Sequence, residues 1–190
     1  SERELRANGV ELLAIETFHD GDTDFRAQLT KVLNVNPDVL VVSALYKEAA
    51  LLLQQARQLG LKQPVVGGNG FNSPELYRLA GEAAEGAIVG SPWFPERDHP
   101  LVKEFVSKYQ ERYGRVPDQF AAQAYDGLML FAEAVRRSGS ATNRQAFRDA
   151  LAGIRNFEGV TGLFSFDEHG NPLMDATILQ LRGGKYVELK

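Results

Sequence analysis

The chain has 190 residues, of which 44% are hydrophobic, with a formal net charge of −4 and no cysteine. This composition is typical of a globular protein with one large domain or two small ones. Without a basic surplus, nucleic acid and anionic membrane surfaces are unexpected partners, and without cysteine there are no disulfides, thiolate nucleophiles or cysteine-ligated zinc. No apolar run approaches the ~20 residues that span a bilayer, so direct membrane insertion is not expected.

The first ninety residues alternate between helix and strand patterns. The polar start predicts a short helix with a capping box of Ser1 and Glu4, rather than a signal peptide. The predicted elements that follow are a strand at 10–18, a helix from about residue 25, a strand at 38–44, a helix at 46–60, a strand at 64–68, a helix at 73–81 with Ser73 as cap, and a strand at 86–92. Apolar strands that alternate with helices through short connections predict a doubly wound, parallel α/β sheet.

Three carboxylates alternate in the loop before the second helix: Asp20, Asp22 and Asp24. Such alternation is found in calcium loops, but Phe25 replaces the obligatory glycine and Lys31 replaces the closing glutamate. An acidic residue before a helix accepts hydrogen bonds from its first N–H groups and suits its positive end. The spacing therefore favours a helix start over a metal site.

The pattern changes after SPWFP (91–95), which is the predicted domain boundary. Three helices follow without an intervening strand, at 99–114, 118–139 and 143–154, and then strands joined by polar turns, with RGGK (182–185) as a hairpin connection. Consecutive amphipathic helices need a surface to cover, yet this stretch contributes no buried strand of its own.

Five stretches run in order through nearly the whole chain: GDTDFRAQLTKVLNVNPDVLVV, QARQLGLKQPVVGGNGF, AAEGAIVGSPW, FVSKYQERYGRVPDQFAAQAYDGLMLFAEAV and FEGVTGLFSFDEHGN. Together they resemble the type I periplasmic substrate-binding proteins of the leucine/isoleucine/valine-binding family, the receptors of branched-chain amino-acid ABC transporters. The resemblance implies flavodoxin-like lobes with a small-molecule ligand clamped between them. It assigns residues 1–92 to the second lobe, 95–173 to the first lobe, and 176–190 to a return to the second.

The resemblance also implies a function. It suggests a non-enzymatic solute-binding component without a cofactor or metal, recognised by a transporter permease, and located in the periplasm or outside the cell, with or without a lipid anchor. The same fold would equally suit the sensing domain of a signalling receptor or an amide-responsive regulator. Because much of the first lobe would be missing, the resemblance predicts that apolar helix faces within 99–154 are left exposed or are buried in a partner. It also predicts that this chain alone binds its ligand weakly or not at all.

Two loops follow predicted parallel strands, where ligands bind in open α/β sheets. In the family each supplies a polar ligand contact, and the matching positions here are Leu45 and Asn69, with the adjacent Tyr46 as a further hydroxyl. Binders of α-amino acids often carry an acidic residue at the second position, to pair with the ammonium group. A neutral amide cannot supply that charge, which shifts the expected ligand toward an amide, a carboxylate, an aromatic acid or a larger apolar molecule.

The second loop, GGNG (67–70), lacks the further motif residues of a dinucleotide or phosphate loop, so it is interpreted as a glycine-rich turn with Gly70 near the ligand. Phe71 could flank the ligand or pack under the turn. Trp93, in the segment joining the lobes, could form a cleft wall or only pack. Phe120 matches a family position that places an aromatic ring against the ligand, although its helical spacing with Leu128 and Phe131 also suits a core.

An intracellular flavodoxin-like enzyme is the rival from another class. Its candidate groups are weak: the three histidines fall in polar loops without the spacing of a zinc site, and the acidic pairs lie in turns or helix starts. These residues are His19, His99 and His169, and the pairs Asp22/Asp24 and Asp167/Glu168. No catalytic residue is predicted.

Overall fold

A computed structural model describes residues 2–189, which form two compact units. The first contains residues up to Val89 together with those from Leu179 onward, and the second contains Gly90–Ile178. The sequence-based boundaries lie within about five residues of these limits, and the assignment of the segments to lobes stays a prediction.

The helices are α1 (Glu2–Ala7), α2 (Arg26–Val35), α3 (Tyr46–Gln58), α4 (Pro74–Ala80), α5 (Pro100–Tyr113), α6 (Gln119–Ser138) and α7 (Arg144–Ala152). The strands are β1 (Leu40–Val42), β2 (Val65–Gly67), β3 (Ile88–Ser91), β4 (Phe157–Gly159), β5 (Gly162–Phe166), β6 (Pro172–Leu173), β7 (Thr177–Arg182) and β8 (Lys185–Glu188). Short 3₁₀ turns cover Asn69–Phe71 and Gly81–Ala84.

The larger sheet has the order β1-β2-β3-β7-β8. Its first three strands pair in parallel, and α3 and α4 connect them, as the alternating pattern predicts. The predicted hairpin is confirmed, because β7 and β8 are antiparallel and Arg182 faces Lys185 across Gly183 and Gly184, both with positive φ. The apolar core of this unit includes Leu29, Leu53, Val65, Leu76, Val89, Leu179 and Leu181.

The strand predicted at 10–18 is wrong, because this segment forms neither helix nor strand. The segment precedes α2 in the chain and is bonded to it: Gln28 Nε2 donates to Thr17 O, and Lys31 pairs with Glu16 at 2.9 Å. Strand-like side chains form a strand only where a neighbouring strand completes the hydrogen-bond ladder, and 10–18 has no such neighbour within residues 2–189. Val10, Leu13 and Ile15 therefore remain exposed, whereas Leu12 and Phe18 are half-buried.

Most predicted helix ends are confirmed. Ser73 accepts a hydrogen bond from Glu75 N at the start of α4, and Gly114 and Gly139 end α5 and α6 in the left-handed conformation. The capping role of Ser1 lies outside the described residues. Asp24 accepts from Arg26 N at 3.1 Å at the start of α2, and its bonds with the Arg26 side chain lower the pKa of this carboxyl to about 2.

The second unit packs α5, α6 and α7 with the small antiparallel sheet β4-β5-β6. One core cluster contains Trp93, Val102, Ala122 and Val160, and another contains Leu130, Ala134, Ile154 and Phe164. Helix α6 contributes to both with its small and medium-sized side chains. Its larger residues Phe120, Leu128 and Phe131 are 38%, 66% and 51% exposed, which confirms that an apolar face within 99–154 is uncovered in this chain.

No helix among residues 2–189 has the length and apolar character that crossing a membrane requires.

Candidate functional site

The two predicted binding loops meet at one edge of the larger sheet. Val42 and Gly67 are neighbours at the carboxyl ends of β1 and β2, so the chain leaves both strands at the same place. Gly70 lies so close to the first loop that a Cβ added to it would overlap Ala44 O and lie 3.1 Å from Leu45 Cδ2. The close approach of the two loops therefore requires glycine at position 70.

Leu45 and Tyr46 occupy the start of α3. Leu45 is the N-cap residue, has extended backbone angles, and is 52% exposed, while Tyr46 is the first helical residue and is half-buried. Leu45 has no side-chain oxygen to accept from the first N–H groups of the helix. The start of α3 thus combines an exposed apolar side chain with backbone donors, which suits a ligand that has an apolar body and an acceptor oxygen.

The second loop is a compact succession of turns. Asn69 and Gly70 begin a 3₁₀ turn in which Phe71 N donates to Gly68 O and Asn72 N donates to Asn69 O, both at 3.0 Å. Ser73 N then donates to Phe71 O at 2.7 Å across Asn72, whose φ of −75° and ψ of 66° define an inverse γ-turn. Asn69 and Gly70 are half-buried at the edge beside Leu45.

Phe71 packs inside the first unit instead of facing the edge. It is fully buried, and its ring lies so close beneath Gly67 that any Cβ there would overlap it. The ring thus packs under the turn, and contact of Phe71 with a ligand stays a prediction.

Trp93 is also a core residue, in the second unit. Its side chain is buried, Nε1 donates to Pro117 O at 3.2 Å, and its ring meets the edge of Phe105 with centroids 5.8 Å apart. The ring is therefore packed within this unit, and a role of Trp93 at a ligand stays a prediction. Phe120 lies at the start of α6 in the same unit, partly exposed, and its contact with a ligand stays a prediction.

Two polar side chains that hold loops in place were not identified from the sequence. Tyr186 on β8 places its hydroxyl against Phe71 O and, at 3.2 Å, Ser73 O, and burial raises the pKa of its phenol. Asp126, buried in α6, accepts from Val160 N, Thr161 N and Thr161 Oγ1 at 2.7–2.8 Å and so holds the turn between β4 and β5. No local pattern reveals either contact, because the partners are distant in sequence.

The groups considered for an enzyme are dispersed. His19, His99 and His169 each lie near a single carboxylate, those of Asp22, Glu158 and Glu168 respectively. Asp167 accepts from backbone N–H groups in its turn, including that of Asn171. Within 2–189, no three histidine or acidic side chains come close enough together to hold a metal ion.

The family model described as periplasmic binding protein matches residues 1–185, nearly the whole chain. The chain belongs to this family. The predicted resemblance to Leu/Ile/Val-binding proteins is confirmed by curated relatives. Leu/Ile/Val-binding protein homolog 1 of Brucella suis is 28% identical over 180 residues, which are 94% of this chain and 47% of that protein. The leucine-, isoleucine-, valine-, threonine-, and alanine-binding protein of Pseudomonas aeruginosa is 30% identical over 86% of this chain and 43% of its own length.

Solved periplasmic binding proteins confirm the predicted fold. The leucine binding protein LivK of Thermotoga maritima has a TM-score of 0.82 and 34% identity, covering 91% of this chain and 49% of its own. The substrate binding protein LivJ of Streptococcus pneumoniae, solved in complex with isoleucine, has a TM-score of 0.80 and 36% identity, covering 99% of this chain and 56% of its own. The chain thus has a type I periplasmic-binding fold and spans about half the length of the curated relatives it matches.

Proposed function

We propose that this chain supplies part of the ligand-binding surface of an ABC-transporter solute-binding protein. The contact of Gly70 with Ala44 and Leu45 carries the proposal, because it joins two strand-end loops at the sheet edge where open α/β proteins bind ligands. The relatives named above are binding proteins, which supports a non-enzymatic role. The whole protein would act outside the cytoplasm and deliver its ligand to a membrane permease.

The edge favours a particular ligand chemistry. Positions 45 and 69 carry a leucine and an asparagine, so neither offers a carboxylate to an ammonium group. The nearby acidic residue of α3, Glu48, is mostly buried and accepts from Gly21 N at 3.3 Å. An apolar molecule with a carboxylate or amide oxygen, which could accept from the backbone of α3 and from the Asn69 amide, therefore fits better than a ligand that presents its ammonium group here.

A thermal-shift screen of this chain tests the proposal, with L-leucine, L-isoleucine, their amides and benzoate as probes. A compound that binds the native state raises the melting temperature, and calorimetry then gives its dissociation constant. We expect Asn69→Ala to weaken binding about tenfold, on the scale of one well-formed hydrogen bond. Asn34→Ala, on the exposed side of α2, is the matched control and should leave affinity unchanged. Equal affinities of the two variants would refute binding at this edge.

A further inference from the structure

Tyr186 forms the most distant contact in sequence that reaches the candidate edge. The hydroxyl approaches the carbonyl oxygens of Phe71 and Ser73, which lie 115 and 113 residues earlier. Phe71 O also accepts from Ser73 N, so the inverse γ-turn and the tyrosine share one acceptor. A partly buried loop carbonyl needs such a donor, because water reaches it poorly.

The support for Tyr186 comes from the β7–β8 hairpin. Gly86 N donates to Leu181 O and Leu181 N donates to Ala87 O, both at 2.9 Å, which attaches β7 to the segment before β3. At the hairpin turn, the Glu85 carboxylate accepts from Gly183 N at 2.9 and 3.0 Å. Gly184 packs so closely on the Tyr77 ring that an added Cβ would lie 2.9 Å from it. Tyr186 is thus fixed by its own strand, independently of the loop that it contacts.

We propose that Tyr186 is a positioning residue for ligand binding: its hydroxyl holds the backbone at 71–73 and thereby keeps Asn69 and Gly70 against Leu45. The proposal rests on the function proposed above for this edge. Phe71 connects Tyr186 to Asn69 and Gly70. Phe71 is anchored below by its ring, its carbonyl is held by Tyr186, and the two residues that precede it form the ligand-facing turn. Without the hydroxyl, only the ring and the short turn bonds would hold the loop.

Tyr186→Phe removes the hydroxyl and keeps the ring. Amide hydrogen exchange on this chain should then be about fivefold faster at Phe71, Asn72 and Ser73, on the scale of one net hydrogen bond. Exchange along the β1–β2 ladder, including Leu40 N bonded to Pro64 O, should be unchanged. Tyr77→Phe is the matched control, because no hydrogen bond of its hydroxyl is found within the part of the chain that the structure describes.

Benzoate, an apolar carboxylate without an ammonium group, is the probe for the second measurement. We expect Tyr186→Phe to weaken its binding by a similar factor, and Tyr77→Phe to leave binding unchanged. Unchanged exchange at 71–73, exchange that rises throughout the unit, or full affinity despite a loosened loop would each overturn the positioning role. If binding by the unaltered chain is too weak to measure, exchange alone decides whether Tyr186 holds the loop, with a local increase in support and no increase against. Equal affinities of Asn69→Ala and Asn34→Ala would instead refute the proposed function.

Discussion

Helices α3 and α6 both carry apolar faces, but the face of α3 is buried in its unit and much of the face of α6 is exposed. Helix α3 buries Leu52 and Leu53 together with three alanines, within the layer that covers its sheet. Helix α6 buries mainly small or polar residues, Ala122, Asp126 and Ala134 among them, and exposes most of its larger ones. Helical periodicity therefore identifies an apolar face without identifying what covers it.

The largest expected effect is on the free energy of unfolding, and it separates alanine substitutions at two leucines, one on each helix. Leu53 is fully buried and Leu128 is 66% exposed. Leu53→Ala should lower the free energy of unfolding by about 2–5 kcal/mol, because it removes buried methyl groups and leaves a cavity. Leu128→Ala should change it by no more than about 0.5 kcal/mol. Urea titrations of both variants measure the difference, and similar losses would mean that the Leu128 face is covered in solution.

The next effect concerns the buried face of α6. Asp126→Asn should lower the free energy of unfolding by about 1–3 kcal/mol, because the amide brings N–H donors to a site where three donors already converge. Asp149→Asn on the exposed side of α7 is the control. Denaturant titration measures both variants, and equal stability would argue that the turn at 159–162 does not depend on the carboxylate.

A pH effect is expected in the first unit. Because burial raises the pKa of Tyr186 above that of an unfolded tyrosine, the unfolded state loses its proton first as pH increases. The contribution of Tyr186 to the free energy of unfolding is therefore complete below about pH 10, the pKa of an unfolded tyrosine. It is lost as pH rises through the folded pKa. Denaturation from pH 8 to 11 should show a steeper loss in the unaltered chain than in Tyr186→Phe. Parallel profiles would contradict the burial of the phenol.

The smallest effect on stability is expected for a substitution on the exposed face of α6, which should instead change self-association. The exposed face of α6, formed by Phe120, Leu128 and Phe131, should make this chain self-associate as its concentration rises. Leu128→Gln should reduce the association seen by light scattering with little change in unfolding free energy. Leu79→Gln, at an exposed leucine on α4, is the matched control. A monomer at all concentrations would contradict an accessible apolar face.

The sequence was most informative where local signals agree with one another. The run from β1 to β3 combines apolar strands, a capped helix at Ser73 and short connections, and the structure has that order. The meeting of the loops at Leu45 and Gly70 follows from the rule that parallel strands end at one edge.

The failures concern partners that lie far away in the chain. The pattern of 10–18 is strand-like, but a strand depends on a neighbour that no local pattern reveals. Aromatic residues such as Phe71 and Trp93 line both cores and clefts, so residue type alone could not decide between the two. The contact of Tyr186 with the loop at 71–73 joins parts of the chain more than a hundred residues apart.

Gly70 has a consequence for engineering specificity. The missing side chain at this position leaves room for the Ala44 carbonyl, so even a single methyl group there would clash with it and push the two loops apart. If the proposed site holds, exchanging Leu45 or Asn69 would change the chemistry of the edge, whereas residue 70 has to remain glycine to keep the loop spacing. A library that diversifies the edge should therefore vary its neighbours and keep this glycine constant.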